Sequence, residues 1–97
     1  MMKLYESVIA ALCEKRREML QLNSSEMIDH IKMEEDFYME LKSEMDIHKY
    51  MTAQYTVVNG YPELVEMFAG YPIKRVENGS IGKVPFKIVS KGSWKTY

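Results

Sequence analysis

Hydrophobic residues recur every three or four positions near the start of the chain and lie opposite a charged face. The apolar face consists of Leu4, Tyr5, Val8, Ile9, Leu12, Met19 and Leu20. This spacing is typical of an amphipathic helix and predicts a first helix over residues 2–22. A short polar break follows, in which Asn23 and Glu26 have the spacing of a helix-capping box, so a second helix is expected to begin there, with Ser24 or Ser25 as the alternative cap.

The segment from residue 24 to residue 51 has no glycine or proline and is rich in residues that favour helices. Its hydrophobic residues fall at spacings of three and four on one face and also occupy two further faces. We therefore predict one long helix over residues 24–51, with a length of about 40 Å. Because the break before it is short, we expect this helix to pack antiparallel to the first as a helical hairpin. A single helix through both segments is the alternative interpretation.

After residue 51, β-branched and aromatic residues become frequent, which indicates strands. Residues 54–58 alternate between the two faces as a strand does. Pro62 and Gly70 bracket an apolar stretch and suit the first turn and the C-terminal end of a helix. Residues 63–69 are therefore predicted to form a short helix.

Residues 73–77 and 83–89 flank a glycine-rich loop and are predicted to form a hairpin. The β-rich part of the chain would then extend over residues 54–89, and residues 90–97 would form a basic tail. We predict one domain of the α+β class. Its expected architecture is an N-terminal antiparallel helical hairpin with a long second helix, followed by a small antiparallel sheet of about three strands with one short helix.

Ninety-seven residues suffice for one hydrophobic core. The formal net charge of −1 conceals a division, because residues 1–51 carry 7 basic and 11 acidic side chains and residues 52–97 carry 6 and 3. This balance argues against a general nucleic-acid binder. The chain has a single cysteine, Cys13, expected to be inert packing, and no stretch that resembles a signal peptide or a bilayer span, so we expect a cytoplasmic protein without a membrane partner.

Hydrophobic side chains on three faces of the predicted long helix are more than one neighbouring helix can cover. We therefore expect a homo-oligomer that self-associates through the helical hairpin, and a protein partner that binds the remaining Met and aromatic surface. The alternative is that the C-terminal half of the same chain covers the long helix. The residues expected to mediate these contacts are Met27, Ile31, Met33, Phe37, Tyr38, Leu41 and Met45. Such features are in keeping with small accessory or inhibitor proteins of phages and mobile elements.

No Ser, His and Asp, and no Cys and His, occur at spacings that indicate nucleophilic catalysis, so no enzymatic activity is expected. On the predicted long helix, His30 and His48 would stand about 27 Å apart and could not share a metal ion. We predict neither a metal nor a cofactor.

A second function class follows from the basic residues near the C-terminus. Lysine side chains that alternate with aromatic ones can neutralise and stack on a nucleotide or a nucleic-acid strand. The residues concerned are Lys83, Lys87, Lys91, Trp94 and Lys95. The alternative function is therefore the sequestration of an anionic, nucleotide-like small molecule by this half of the chain.

Overall fold

The structure is a computed structural model, which describes residues 3–21 and 27–91. Within these residues the elements are α1 (Leu4–Gln21), β1 (Met27–Glu34), α2 (Glu35–Lys42), a short 3₁₀ helix (Ile47–Lys49), β2 (Met51–Val58), β3 (Tyr61–Phe68), β4 (Tyr71–Val76) and β5 (Phe86–Lys91). The strands form one sheet in the order β2-β3-β4-β1-β5. Strands β1 and β4 are parallel, and the other neighbouring strands are antiparallel. The α+β class predicted from the sequence is confirmed.

The two α-helices contribute to one hydrophobic core on a single face of the sheet, which we call the inner face; the opposite face is the outer face. Helix α2 packs directly on it, with the Phe37 ring stacked 5.2 Å from the Phe86 ring on β5. The buried residues of this core are Val8, Leu12, Ile31, Met33, Phe37, Tyr38, Leu41 and Phe68. Burial of each large side chain contributes about 1.5–3 kcal/mol, so this cluster holds the helices against the sheet.

The predicted long helix over residues 24–51 is wrong, because Met27–Glu34 is strand β1, at the interior of the sheet. A β-bulge explains why the pattern imitates a helix. Ile28 pairs with Ser90 and Ile31 pairs with Ile88, so the strand has one more residue than its partner between these pairs. The bulge places Ile28 and Ile31 on the same face although they are three positions apart, which is also helical spacing.

The predicted antiparallel helical hairpin is therefore also wrong, and helix α2 has only 8 residues. It begins directly after β1, where Glu34 is extended, and its C-cap residue Ser43 donates its backbone N–H to Glu40 and Leu41. Glu35 lies in the first turn and Lys42 in the last, so both charges are favourable to the helix dipole. Of the predicted connection at residues 21–25, Gln21 is the last residue of α1, and residues 22–25 lie outside the described residues.

The predicted short helix over residues 63–69 is wrong as well, since this segment belongs to strand β3. Asn59 and Gly60 both have positive φ, at 53° and 84°, and join β2 to β3 as a two-residue turn. Asn-Gly is the preferred sequence for such a hairpin turn, because both positions require positive φ. Pro62 therefore lies in a strand, opposite Val57.

The sheet has five strands rather than about three, and the predicted hairpin between residues 73–77 and 83–89 does not form. Strands β4 and β5 occur near these positions, but β1 lies between them in the sheet. Strands β4 and β5 therefore each pair with β1, the segment that the sequence pattern assigns to a helix.

Candidate functional site

Strands β2 and β3, with the turn between them, form a ribbon that projects from the sheet; we call residues 51–68 the β2–β3 arm. The two strands pair along all their residues, from Met51 with Phe68 to Val58 with Tyr61. In contrast, β3 pairs with β4 only at Met67 and Phe68. The arm therefore extends about 20 Å beyond its last contact with β4.

The two-residue turn fixes which backbone groups of the arm are free. Val58 and Tyr61 close the turn as a hydrogen-bonded pair, so the next pair, Val57 with Pro62, directs its backbone groups away from the partner strand. Pro62 has no N–H to satisfy there, which makes its position compatible with the strand. On β2, the same alternation turns the N–H and C=O groups of Ala53, Tyr55 and Val57 toward the open edge.

The inner face of the arm is apolar and uncovered. It continues the face that carries the buried Phe68, and the cross-strand pairs Tyr55 with Leu64 and Val57 with Pro62 lie on it. Tyr55 is 74% exposed, Val57 is 75% exposed and Leu64 is 54% exposed. The arm thus presents the same kind of surface that the rest of the sheet buries beneath its helices.

The two edges of the sheet differ in their protection against strand pairing. Strand β5 carries Lys87 and Lys91, and charged residues discourage the addition of another strand. Strand β2, with the sequence MTAQYTVV, has no charged residue, proline or glycine. Its register with β3 is continuous, so no bulge twists the edge away. Among residues 3–21 and 27–91 no strand pairs with the outer edge of β2, so this edge is an open template for a further strand.

A polar cluster joins the base of the arm to helix α2. The hydroxyl of the buried Tyr38 donates a hydrogen bond to the carboxylate of Glu66 on β3. Lys42 makes an ion pair with the same carboxylate at 3.4 Å. Arg75 lies 4.4 Å from the centre of the Tyr38 ring and is held by a hydrogen bond from its Nε to Glu35. These contacts fix the direction in which the arm leaves the sheet.

The electrostatics of this cluster favour a structural role. Burial, followed by the hydrogen bond to Glu66, raises the pKa of Tyr38 above its ordinary value. The hydrogen bond from Arg75 lowers the pKa of Glu35 below its ordinary value. Both shifts favour the form that each group already has at neutral pH, so neither the Tyr38 hydroxyl nor the Glu35 carboxylate is set to exchange a proton there.

The residues that the sequence predicts for partner binding are divided between core and surface. Ile31, Met33, Phe37, Tyr38 and Leu41 are buried in the core. Two others remain available, since Met27 is 56% exposed at the start of β1 and Met45 is 86% exposed after α2. The structure does not bring these two exposed methionines onto one element.

The residues predicted for an anionic ligand lie on β5, in the turn before it, or outside the described residues. Lys87 and Lys91 lie on β5, and Lys91 forms an ion pair with Asp29 at 3.7 Å. Lys83 is exposed in the turn before this strand. Trp94 and Lys95 lie outside the described residues.

An open depression beside α1 and an exposed thiol are further features of the described chain. An open depression of about 450 Å³ is lined by Tyr5, Glu6, Ile9, Ala10 and Tyr50, which provide one carboxylate and no base opposite it. Cys13 is exposed. Among residues 3–21 and 27–91, no three His, Cys, Asp or Glu side chains are grouped to hold a metal ion. Within the same ranges, no helix has the length and hydropathy needed to cross a membrane.

Comparison with known proteins identifies no relative: no family model, no curated protein and no solved structure matches the chain. The arm is therefore identified as the candidate site from its geometry alone. Sequence reasoning missed it, although Asn59-Gly60 between two alternating segments is a strong hairpin signal. The assignment of Pro62 to a helix start concealed that signal.

Proposed function

We propose that this protein is a non-enzymatic binding protein, which binds an extended segment of a protein partner along the β2–β3 arm. One observation carries the proposal: the arm combines an uncharged open edge with an uncovered apolar face. Backbone groups on the β2 edge provide hydrogen bonds for an added strand, and Tyr55 and Val57 provide contacts for the partner's alternate side chains. The protein would act in the cytoplasm as an accessory or inhibitor protein.

The energetics of a two-stranded ribbon support this proposal. An isolated hairpin is marginally stable in water, and three strands with a covered face are needed for independent stability. The arm has two strands for most of its length and an exposed inner face. A partner that adds a strand and covers Tyr55, Val57 and Leu64 would supply both missing components.

The partner's chemistry follows from the surface. The inner face of the arm carries no charge until Glu66 at its base, which is already bonded to Tyr38 and Lys42. The partner segment should therefore be extended, with apolar residues at alternate positions and no acidic residue facing the base. A flat ribbon without concave walls is unsuited to a small molecule, whose sites are usually concave.

The proposal can be tested with a displayed library of random peptides selected on the full chain. We expect the enriched peptides to alternate between apolar and polar residues and to protect the β2 amides from hydrogen exchange. Tyr55→Lys with Val57→Lys should abolish their binding, because both side chains are on the inner face. The matched control is Gln54→Lys with Thr56→Lys, which adds the same charge to the outer face of the same strand.

Three outcomes would count against the proposal. The first is a selection that enriches no peptide, and the second is a set of peptides that bind both variants equally. The third is turnover in a substrate screen that the arm variant does not affect. A natural partner captured from a lysate should likewise bind the outer-face variant and fail to bind the inner-face variant.

A further inference from the structure

Three lysines lie side by side across the outer face of the sheet. Lys32 on β1 pairs with Lys74 on β4 and with Lys87 on β5. Their side chains point away from the core, because the adjacent residues Ile31 and Met33 are buried on the inner face. Neighbouring strands lie about 4.8 Å apart, so the row spans about 10 Å from the first Cα to the third. We call Lys74, Lys32 and Lys87 the lysine row.

This arrangement is unfavourable in the protein alone, since like charges directly opposite each other on neighbouring strands are destabilising. The carboxylates nearest along β1 have other partners. Asp29 is bound to His30 and Lys91, and Glu34 accepts the backbone N–H of Gly79. In the part of the chain that the structure describes, no side-chain ammonium group of the row has an ion-pair or hydrogen-bond partner.

The other charges near the sheet lie mostly in ion pairs or on its other side. The lysine and arginine partners in the ion pairs of the described chain are Lys3, Arg17, Lys42, Lys49, Arg75 and Lys91. Helix α2 places acidic Glu35, Asp36 and Glu40 on the other side of the sheet. On the outer face of β4, β1 and β5, Glu34 lies two residues from Lys32, and Asp29 is paired with Lys91. The three lysines therefore leave an excess of positive charge on this face despite the formal net charge of −1.

The shape of the face restricts the class of anion. Lys74 and Lys87 are exposed and Lys32 is half-buried, on a sheet surface formed by three adjacent strands. Small-molecule sites are usually concave, whereas a line of charge on an open face matches a linear array of phosphates. Anionic membranes are usually bound by clusters of about 4–8 basic residues, and the row has fewer.

We propose that the lysine row binds the phosphate backbone of a nucleic acid, without reading its sequence. The three ammonium groups would neutralise successive phosphates and release their counterions, which also relieves the repulsion within the row. The site lies on β4, β1 and β5 and uses no residue of the β2–β3 arm. It is therefore independent of the protein partner proposed above.

The test is fluorescence anisotropy of a labelled DNA duplex of mixed sequence, titrated with the full chain from low to moderate salt. Binding through three phosphates should give a slope of log K against log salt of about −2.7. At low salt, the affinity of the triple variant Lys32→Gln, Lys74→Gln, Lys87→Gln for the duplex should fall by about tenfold or more. A thermal melt checks that this variant folds; if it does not, the exposed pair Lys74→Gln, Lys87→Gln replaces it.

The matched control is Lys15→Gln, Arg16→Gln, Arg17→Gln on α1, which changes the net charge equally but leaves the row intact. It should retain the wild-type affinity. Absent binding at low salt, or equal weakening in the two triple variants, overturns the proposal. Tighter binding to vesicles with anionic lipids than to DNA would also overturn the proposal, because it indicates a membrane ligand. Competition by inorganic triphosphate at the same phosphate concentration as DNA would overturn it as well, because it indicates a small ligand.

Discussion

The hydroxyl of Tyr38 on α2 donates a hydrogen bond to Glu66 on β3, so a buried helix residue holds the base of the projecting arm. Tyr38 is 1% exposed, and its oxygen has little access to water if the bond is lost. Lys42, also on α2, makes an ion pair with the same carboxylate, so two polar contacts from one helix tie the arm to the core.

We expect Tyr38→Phe to lower the free energy of unfolding by about 1.5 kcal/mol, because a hydrogen bond to a charged group is lost while the ring still packs. Urea unfolding followed by circular dichroism measures the change. Tyr61→Phe is the control, since Tyr61 is 75% exposed at the arm's tip, and it should be neutral. Equal stability of the two variants would show that the Tyr38 contact contributes nothing.

The turn of the arm should depend on Gly60, whose φ is +84°. An L side chain in this conformation is strained, so Gly60→Ala should destabilise the arm by about 1 kcal/mol. Hydrogen exchange of the β2 and β3 amides should accelerate while that of β1 stays unchanged. Asn59→Gly, which keeps positive φ accessible, should have little effect. Acceleration throughout the sheet would contradict the view that the arm opens separately.

Without a partner, the arm should associate weakly with a second copy of itself. Antiparallel pairing of two β2 edges meets no charge repulsion, because the strand MTAQYTVV is uncharged. Sedimentation equilibrium should show a mass that rises with concentration. Tyr55→Lys with Val57→Lys should give a monomer at all concentrations, whereas Gln54→Lys with Thr56→Lys should retain more association. A mass independent of concentration in the wild type would refute this expectation.

Acid should destabilise the protein through Asp29, whose pKa is lowered chiefly by its hydrogen bond with His30. A carboxyl with a lower pKa in the folded state contributes stability above its unfolded pKa, about 3.9, and loses it as the pH falls through the folded value. Asp29→Asn should therefore be less stable than the wild type at pH 7 and equally stable near pH 2. Urea midpoints across this range test the prediction.

Glu63→Gln provides the control for this pH series, because Glu63 is exposed on the arm and has no ion-pair partner among the described residues. Its midpoints should follow those of the wild type. If Asp29→Asn has the wild-type pH dependence, the contact between Asp29 and His30 does not contribute to stability, and another carboxyl such as Glu35 accounts for the acid effect.

The sequence by itself determined those elements whose spacing has one interpretation. Helix α1 lies at Leu4–Gln21, where residues 2–22 show helical periodicity, and β2 contains the alternating segment at residues 54–58. The α+β class follows from these two patterns. Asn59-Gly60 also specified the arm's turn, although Pro62 directed the interpretation elsewhere.

The tertiary structure alone decided the identity of β1 and its place between β4 and β5. A bulge gives Ile28 and Ile31 a spacing that a helix also produces, so local pattern could not distinguish the two states. The strand is stable because both its neighbours are supplied by residues more than 40 positions later in the chain. The lysine row has the same origin, since Lys32, Lys74 and Lys87 become adjacent only through this long-range pairing, which no local spacing encodes.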